Sequence, residues 1–196
     1  PVEELASARS PEELVALVRR SADKGSLDEG TAVLLERSLA FGDRVARDVL
    51  TPRVRVKSVG LDAVVQDVIA LTRSTGHSRF PVVGPGGPDD VRGVVHIKHV
   101  VAVAPDERRR TRVRDVMVDP LLVPDTLELD PLLATLRGGG LQIAIVIDEY
   151  GGAAGILTIE DLIEEIVGEV TDEHDQPQRR SQRRCLMTSA SSACTC

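Results

Sequence analysis

The sequence repeats itself. VARDVLTP at 45–52 matches RVRDVMVD at 112–119, with Asp48 against Asp115 at an offset of 67, and GVVHIKHV at 93–100 matches GILTIEDL at 155–162 at an offset of 62. FPVV at 80–83 lies against AIVI at 144–147 in between. The drift of five residues puts a shorter helix and turn in the second copy. A unit of about sixty residues is marginal alone, so two copies must pack through their sheets into one shared core.

The element order within a copy follows from pattern. In the second, a short extended segment at 120–123 leads to Asp130 as N-cap and Pro131 at the first helical position. Leu132, Leu133 and Leu136 share one face of that helix, and Gly138–Gly140 stop it. IAIVI at 143–147, the turn DEYGG and AAGIL at 153–157 read as a hairpin. Thr158 then caps a helix running to about Val170, with Asp161 in the capping-box position and Leu162, Ile163, Ile166, Val167 and Val170 at helical spacing.

The first copy has a strand at 53–59, a helix at 62–73, strands at 80–83 and 92–95 around GPGGPDD, and a helix from Lys98. Two helices precede it, opened by Ser10-Pro11-Glu12-Glu13 and by Ser26 with Glu29. The expected fold is α/β (α+β), a tandem pair in which each copy runs strand, helix, strand, strand, helix. The expected division is an N-terminal helical region at 1–44, repeats at 45–104 and 113–172, and a disordered tail at 176–196.

Charge and cysteine placement narrow the function. The chain carries a net charge of −7, yet residues 176–196 hold four Arg and no acid, leaving 20 basic against 31 acidic residues, a net −11, over 1–175. Such a body repels a nucleic-acid backbone, and 2% aromatic content offers few stacking platforms for single strands. All three cysteines, Cys185, Cys194 and Cys196, sit in the tail, so the body suits a reducing compartment. No apolar run reaches the roughly 18 residues of a membrane span. No signal peptide opens the chain, and a start at Pro1 is expected of a piece of something longer.

For catalysis the chain offers little. No nucleophile with a partnered base can be assembled, nor a Gly-rich phosphate loop ending in Lys-Ser or Lys-Thr, so no enzyme is expected. Glu160, Glu164, Glu165 and Glu169 occupy the polar face opposite the apolar stripe, where a solvated face is the default. The alternative is an acidic patch relieved by Mg²⁺. Arg108, Arg109, Arg110, Arg112 and Arg114 read as a solvated linker, or beneath a membrane as a contact for anionic lipid. Read alone, Thr158 and Asp161 are a helix cap. Thr158 and Asp161 map onto His96 and His99 in the first copy, an H-x-x-H with His77 as its one candidate third metal ligand.

The tandem unit resembles a pair of CBS domains, the adenosine-nucleotide-sensing Bateman module. DVLTPR (48–53), HSRFPV (77–82) and VIDEYGGAAGILTIEDLIEEIVGEV (146–170) resemble the CorC/CNNM family of magnesium transport and cobalt-resistance proteins, also labelled hemolysin-like. The resemblance covers about residues 10–175. It implies a cytoplasmic module on the inner face of the cell membrane, behind a transmembrane domain absent here, and ahead of a CorC/HlyC domain that the tail replaces.

The resemblance also implies a site. Thr158 and Asp161 take the ribose-contacting positions. The adenine needs an apolar slot, for which Val123, Ile143 and Ala144 are candidates, with Thr51 and Pro52 reaching in from the first copy. Arg53 and Arg79 stand at the phosphate positions with His77 and Ser78 beside them, although Arg79 serves equally as a surface salt bridge. Without a carboxylate at His99 the first site is expected to have lost ribose binding, giving one nucleotide per pair. The ligand implied is ATP with Mg²⁺, and the partner a second copy of the chain, joined as a homodimer. A ligand-free structural dimerisation module of the same membrane protein is the alternative.

Overall fold

The computed structural model describes residues 10–168. Two helices, α1 (Pro11–Asp23) and α2 (Glu29–Phe41), come first and pack on each other. Ser10 caps α1 by accepting from the Glu13 N–H, and Asp28 caps α2 by accepting from Thr31. The cap of α2 is thus Asp28 rather than Ser26.

The first repeat consists of α3 (Ala46–Val49), β1 (Thr51–Pro52), β2 (Val59–Gly60), α4 (Val65–Thr75), β3 (Arg79–Val83), β4 (Val91–His96) and α5 (Ile97–Val101). The second consists of β5 (Leu121–Pro124), α6 (Leu129–Gly138), β6 (Ile143–Ile147), β7 (Ala153–Thr158) and α7 (Ile159–Val167). The expected strand at 53–59 is mostly a turn. Pro52 has no N–H to continue a ladder, and the Arg55 and Val56 amides donate back to Pro52 and Arg53 at 2.8 and 3.2 Å. The α4 helix starts at Val65, and Gly76 ends it at φ 77°. The N-cap of α6 is Glu128, with Asp130 and Pro131 inside its first turn, where proline's missing N–H costs nothing. Gly168 closes α7, so Val170, Glu169 and the tail lie outside the described residues.

Each repeat builds one sheet, in the orders β2-β3-β4 and β1-β7-β6-β5. The first strand lies parallel to its neighbour and the hairpin is antiparallel in both. Even the hairpin irregularities correspond, at Val82/Val83 and Val146/Ile147.

The two copies also exchange their leading segments. Thr51 of the first pairs with Ile156 in β7, and Val118 of the second bridges to Val94 in β4. At both crossings the receiving strand supplies a glycine. A Cβ on Gly155 would meet the Thr51 carbonyl at 2.2 Å, and one on Gly93 would meet the Val118 carbonyl at 2.9 Å and Met117 Sδ at 2.7 Å. Side chains are excluded there by a passing backbone.

Each repeat has its own core, around Phe80, Val65 and Val95 in the first and around Leu132, Leu157 and Leu162 in the second, where Phe41 of α2 joins it. Val94, Ile143, Ile145 and Ala153 form a third cluster that draws on both sheets. This is the shared core that the marginal size of one repeat requires.

Candidate functional site

The start of α7 is fixed by a reciprocal cap. Asp161 Oδ2 accepts from both the Thr158 amide and the Thr158 hydroxyl at 2.7 Å, and the Asp161 amide donates to Thr158 Oγ1 at 3.4 Å. One carboxylate oxygen is therefore consumed by the cap. Among the described residues no hydrogen bond engages the other, Oδ1.

Thr158 and Asp161 line a cleft of about 350 Å³ between the repeats. Thr51 enters from β1, His77, Ser78 and Arg79 from the loop after α4 and the start of β3, and Ile143 from β6. The structure thus brings together seven of the residues implied by sequence, and it does not bring in the other four. Val123 and Ala144 are buried in the second repeat's core, and Pro52 does not line the cleft. Arg53 pairs with Asp89 and lies at a separate small cavity with Ser58 and Pro81.

Arg79 makes a salt bridge. Its guanidinium donates to Glu160 at 3.0 Å and to Gln142 Oε1 at 3.1 Å. Its Nε is buried and has no hydrogen-bond partner. Gln142 holds a left-handed backbone, φ 54°, which for a residue other than glycine has a cost of order 1 kcal/mol or more.

Sequence reasoning missed Arg55, Val56, Lys57 and Ile156 in the same cleft. The alternation Arg-Val-Arg-Val-Lys at 53–57 looked like a strand, which hid the turn that brings its cations round.

The acidic face of α7 is divided between two places. Glu160 belongs to the cleft, whereas Glu164 and Glu165 line a second cavity, of about 420 Å³, against Arg37 and Arg44. Glu165 is ion-paired to Arg44. The face is therefore not simply solvated, because the N-terminal helical region supplies counter-charges close to it. The basic linker is likewise partly tied down. Arg108 donates to the Val101 and Val103 carbonyls, Arg112 to the Asp62 carbonyl, and Arg114 pairs with the Asp62 side chain.

His96 occupies the N-cap of α5, the place Thr158 takes on α7, and its Nδ1 accepts from the Lys98 amide at 3.0 Å. Burial, followed by the nearby charge of Arg79, Lys98 and His99, holds its pKa below the ordinary histidine value. His99 Nδ1 is buried without a partner, and the His96 and His99 ring centroids are 6.2 Å apart. His77 instead packs its ring edge-on to Phe80 at 6.4 Å. Among the described residues no group of three or more His, Cys, Asp or Glu is arranged to hold a metal. A further cavity of about 180 Å³ is lined by Val94 and by second-repeat residues between Asp119 and Ile143, with neither His96 nor His99 among them.

The CBS domain model matches the chain twice, over residues 46–106 and 113–168. A UPF0053 protein of Mycobacterium tuberculosis is 49% identical over 175 residues, covering 89% of this chain and 38% of that protein. The magnesium and cobalt efflux protein CorC of Escherichia coli is 31% identical over 168 residues, covering 86% of this chain and 57% of CorC. The chain therefore spans well under two thirds of the length of these relatives. Among solved structures, the CBS domain of a bacterial CNNM/CorC family Mg²⁺ transporter superposes with a TM-score of 0.76 at 32% identity, over 84% of this chain and 99% of that one. A CBS domain of a bacterial CNNM/CorC family Mg²⁺ transporter in complex with ATP superposes with a TM-score of 0.66 at 34% identity, over 70% of this chain and 96% of that one.

Proposed function

We propose, from the premise that this chain belongs to the CBS-domain family and is a tandem pair of the CNNM/CorC type, that it is a regulatory module binding ATP as its Mg²⁺ complex. The family is one of regulatory modules rather than enzymes. The observation that carries this reading is the start of α7, where Asp161, which lines both this cleft and the cavity against Arg37 and Arg44, commits Oδ2 to Thr158 and leaves Oδ1 without a hydrogen bond among the described residues. A carboxylate with one oxygen committed to the cap is held rigidly, so the other accepts from ribose hydroxyls at little entropic cost. Ile143 and Ile156 supply apolar surface for the base, and Arg79 supplies a guanidinium for the phosphates. Glu160, which lines the same cleft, would be the residue to offer a carboxylate to a Mg²⁺ ion carried by the phosphates. The ATP complex of the similar CNNM/CorC domain supports the same ligand class.

The module works as a homodimer attached to a magnesium-transporting membrane domain, on the cytoplasmic face of the membrane. No helix among the described residues is long and apolar enough to cross a bilayer, so transport belongs to that other domain. Val101 on α5, and Ile163 and Val167 on α7, are exposed at 54%, 46% and 51%, which is the apolar surface a second copy would cover. Those exposed faces equally favour the second reading, a dimerisation module that needs no ligand. Titration calorimetry with ATP, ADP and AMP, with and without Mg²⁺, separates the two. Binding heat with one ATP per chain supports the regulatory reading, and a stable dimer giving no heat supports the structural one.

A further inference from the structure

We infer that Arg55 and Lys57 are specificity-determining residues that make the cleft respond to the length of the phosphate chain, favouring a triphosphate over a monophosphate. The inference rests on the nucleotide reading above. It begins with the charges of the cleft, which are Arg55, Lys57 and Arg79 against Glu160 and Asp161. Arg79 is engaged by Glu160 and Gln142, and Asp161 Oδ2 by Thr158. Among the described residues neither Arg55 nor Lys57 has an ion-pair partner. Arg79 is offset by Glu160, whereas Asp161, held by the neutral Thr158, keeps its charge; Arg55 and Lys57 are the unpaired cations that leave these five groups with a net charge of +1.

Their placement is fixed by the backbone rather than by chance side-chain reach. Thr51 and Pro52 are locked against Ile156 and Gly155, and the turn closed by the Arg55 and Val56 amides follows at once. The chain crosses from the second sheet back to β2 of the first along the rim of the cleft, and Arg55 and Lys57 flank Val56 there. Ribose contacts at Thr158 and Asp161 are the same for every adenine nucleotide, so they cannot distinguish AMP from ATP. Each added phosphate brings negative charge that only a cation outside the ribose site can reward. An Arg offers a planar fork for two phosphate oxygens and a Lys a mobile point charge, a combination suited to a flexible polyphosphate.

The test compares adenosine, AMP, ADP and ATP by calorimetry at fixed Mg²⁺ on the full chain. The proteins are the wild type, an Arg55→Ala/Lys57→Ala variant, and an Arg20→Ala/Lys24→Ala control that removes equal charge from the exposed end of α1. Wild type and control are expected to bind more tightly along the series, with ATP at least about tenfold ahead of AMP, as two charge-assisted contacts allow. The double variant should bring ATP within about threefold of AMP, with adenosine and AMP unchanged. A double variant that keeps the ATP preference, or a control that loses it, overturns the inference while leaving nucleotide binding intact. If the wild type binds none of the four ligands, the nucleotide reading fails and the inference with it. Both side chains are exposed, so the folded state should tolerate their removal, and matching melting temperatures check that it does.

Discussion

Asp161 separates its work between two oxygens, and a substitution can separate them too. Asparagine keeps an acceptor for the Thr158 amide and hydroxyl but puts an NH₂ where Oδ1 was, so the ribose hydroxyls lose their charged acceptor. Asp161→Asn is expected to weaken ATP by roughly 1.5–3 kcal/mol, ten- to a hundredfold, while the melting temperature barely moves; His99→Ala should leave affinity unchanged. Equal losses would mean that the first repeat's site is live. His96 gives a pH signature. Its folded pKa lies below the ordinary value of 6.5, so between the two values the unfolded chain binds more protons and stability falls as pH falls. The loss begins on acidification through about 6.5 and is complete below the folded pKa. Protonation also removes the Nδ1 lone pair that accepts from Lys98. Denaturant midpoints from pH 7.5 to 5 should drop more for wild type than for His96→Asn, which can still cap; parallel curves would assign the drop to other groups. The cap made by Thr158 and Asp161 was legible because its spacing is local and the structure makes it as a reciprocal cap. Arg55 and Lys57 were not, because pattern shows alternation but not the turn that redirects it.

At the scale of elements, the repeat offsets carried more information than the strand patterns. They matched Gly93 with Gly155 and Thr51 with Val118, and the structure uses those pairs at the two reciprocal crossings. That the leading segments would cross to the opposite sheet was not legible, since pairing partners are tertiary and β1 is only two residues long. Gly155→Ala sets a methyl group against a backbone carbonyl and is expected to cost about 2–3 kcal/mol, near the upper part of the overpacking range. Gly93→Ala should cost less, because Met117 is flexible and can move aside. Equal, small effects in urea unfolding would show that β1 is not held as described. The N-terminal helices were legible from their caps, but their role against α7 was not. Arg44 and Glu165 are both partly exposed, at 35% and 29% of their side chains, so Glu165→Gln should destabilise by no more than about 1 kcal/mol.

On the scale of the whole molecule, two marginal repeats with exchanged leading segments should unfold as one unit, and the cleft proposed for the nucleotide lies across their junction. A ligand there would meet Thr51 and Arg79 of one repeat and Thr158 and Asp161 of the other. Light scattering at micromolar concentration should give about twice 21.1 kDa, and Ile163→Glu/Val167→Glu should give a monomer; a wild-type monomer throughout would rule out the α7 face as a self-association surface. The most direct measurement is thermal unfolding of the wild type and Asp161→Asn with Mg-ATP at about a hundred times the wild-type dissociation constant. Mass action then stabilises the wild type by roughly 2.7 kcal/mol. The expected result is a single transition that rises by several degrees for the wild type and much less for Asp161→Asn. No rise in the wild type, or an equal rise in both, would contradict a nucleotide held at the start of α7.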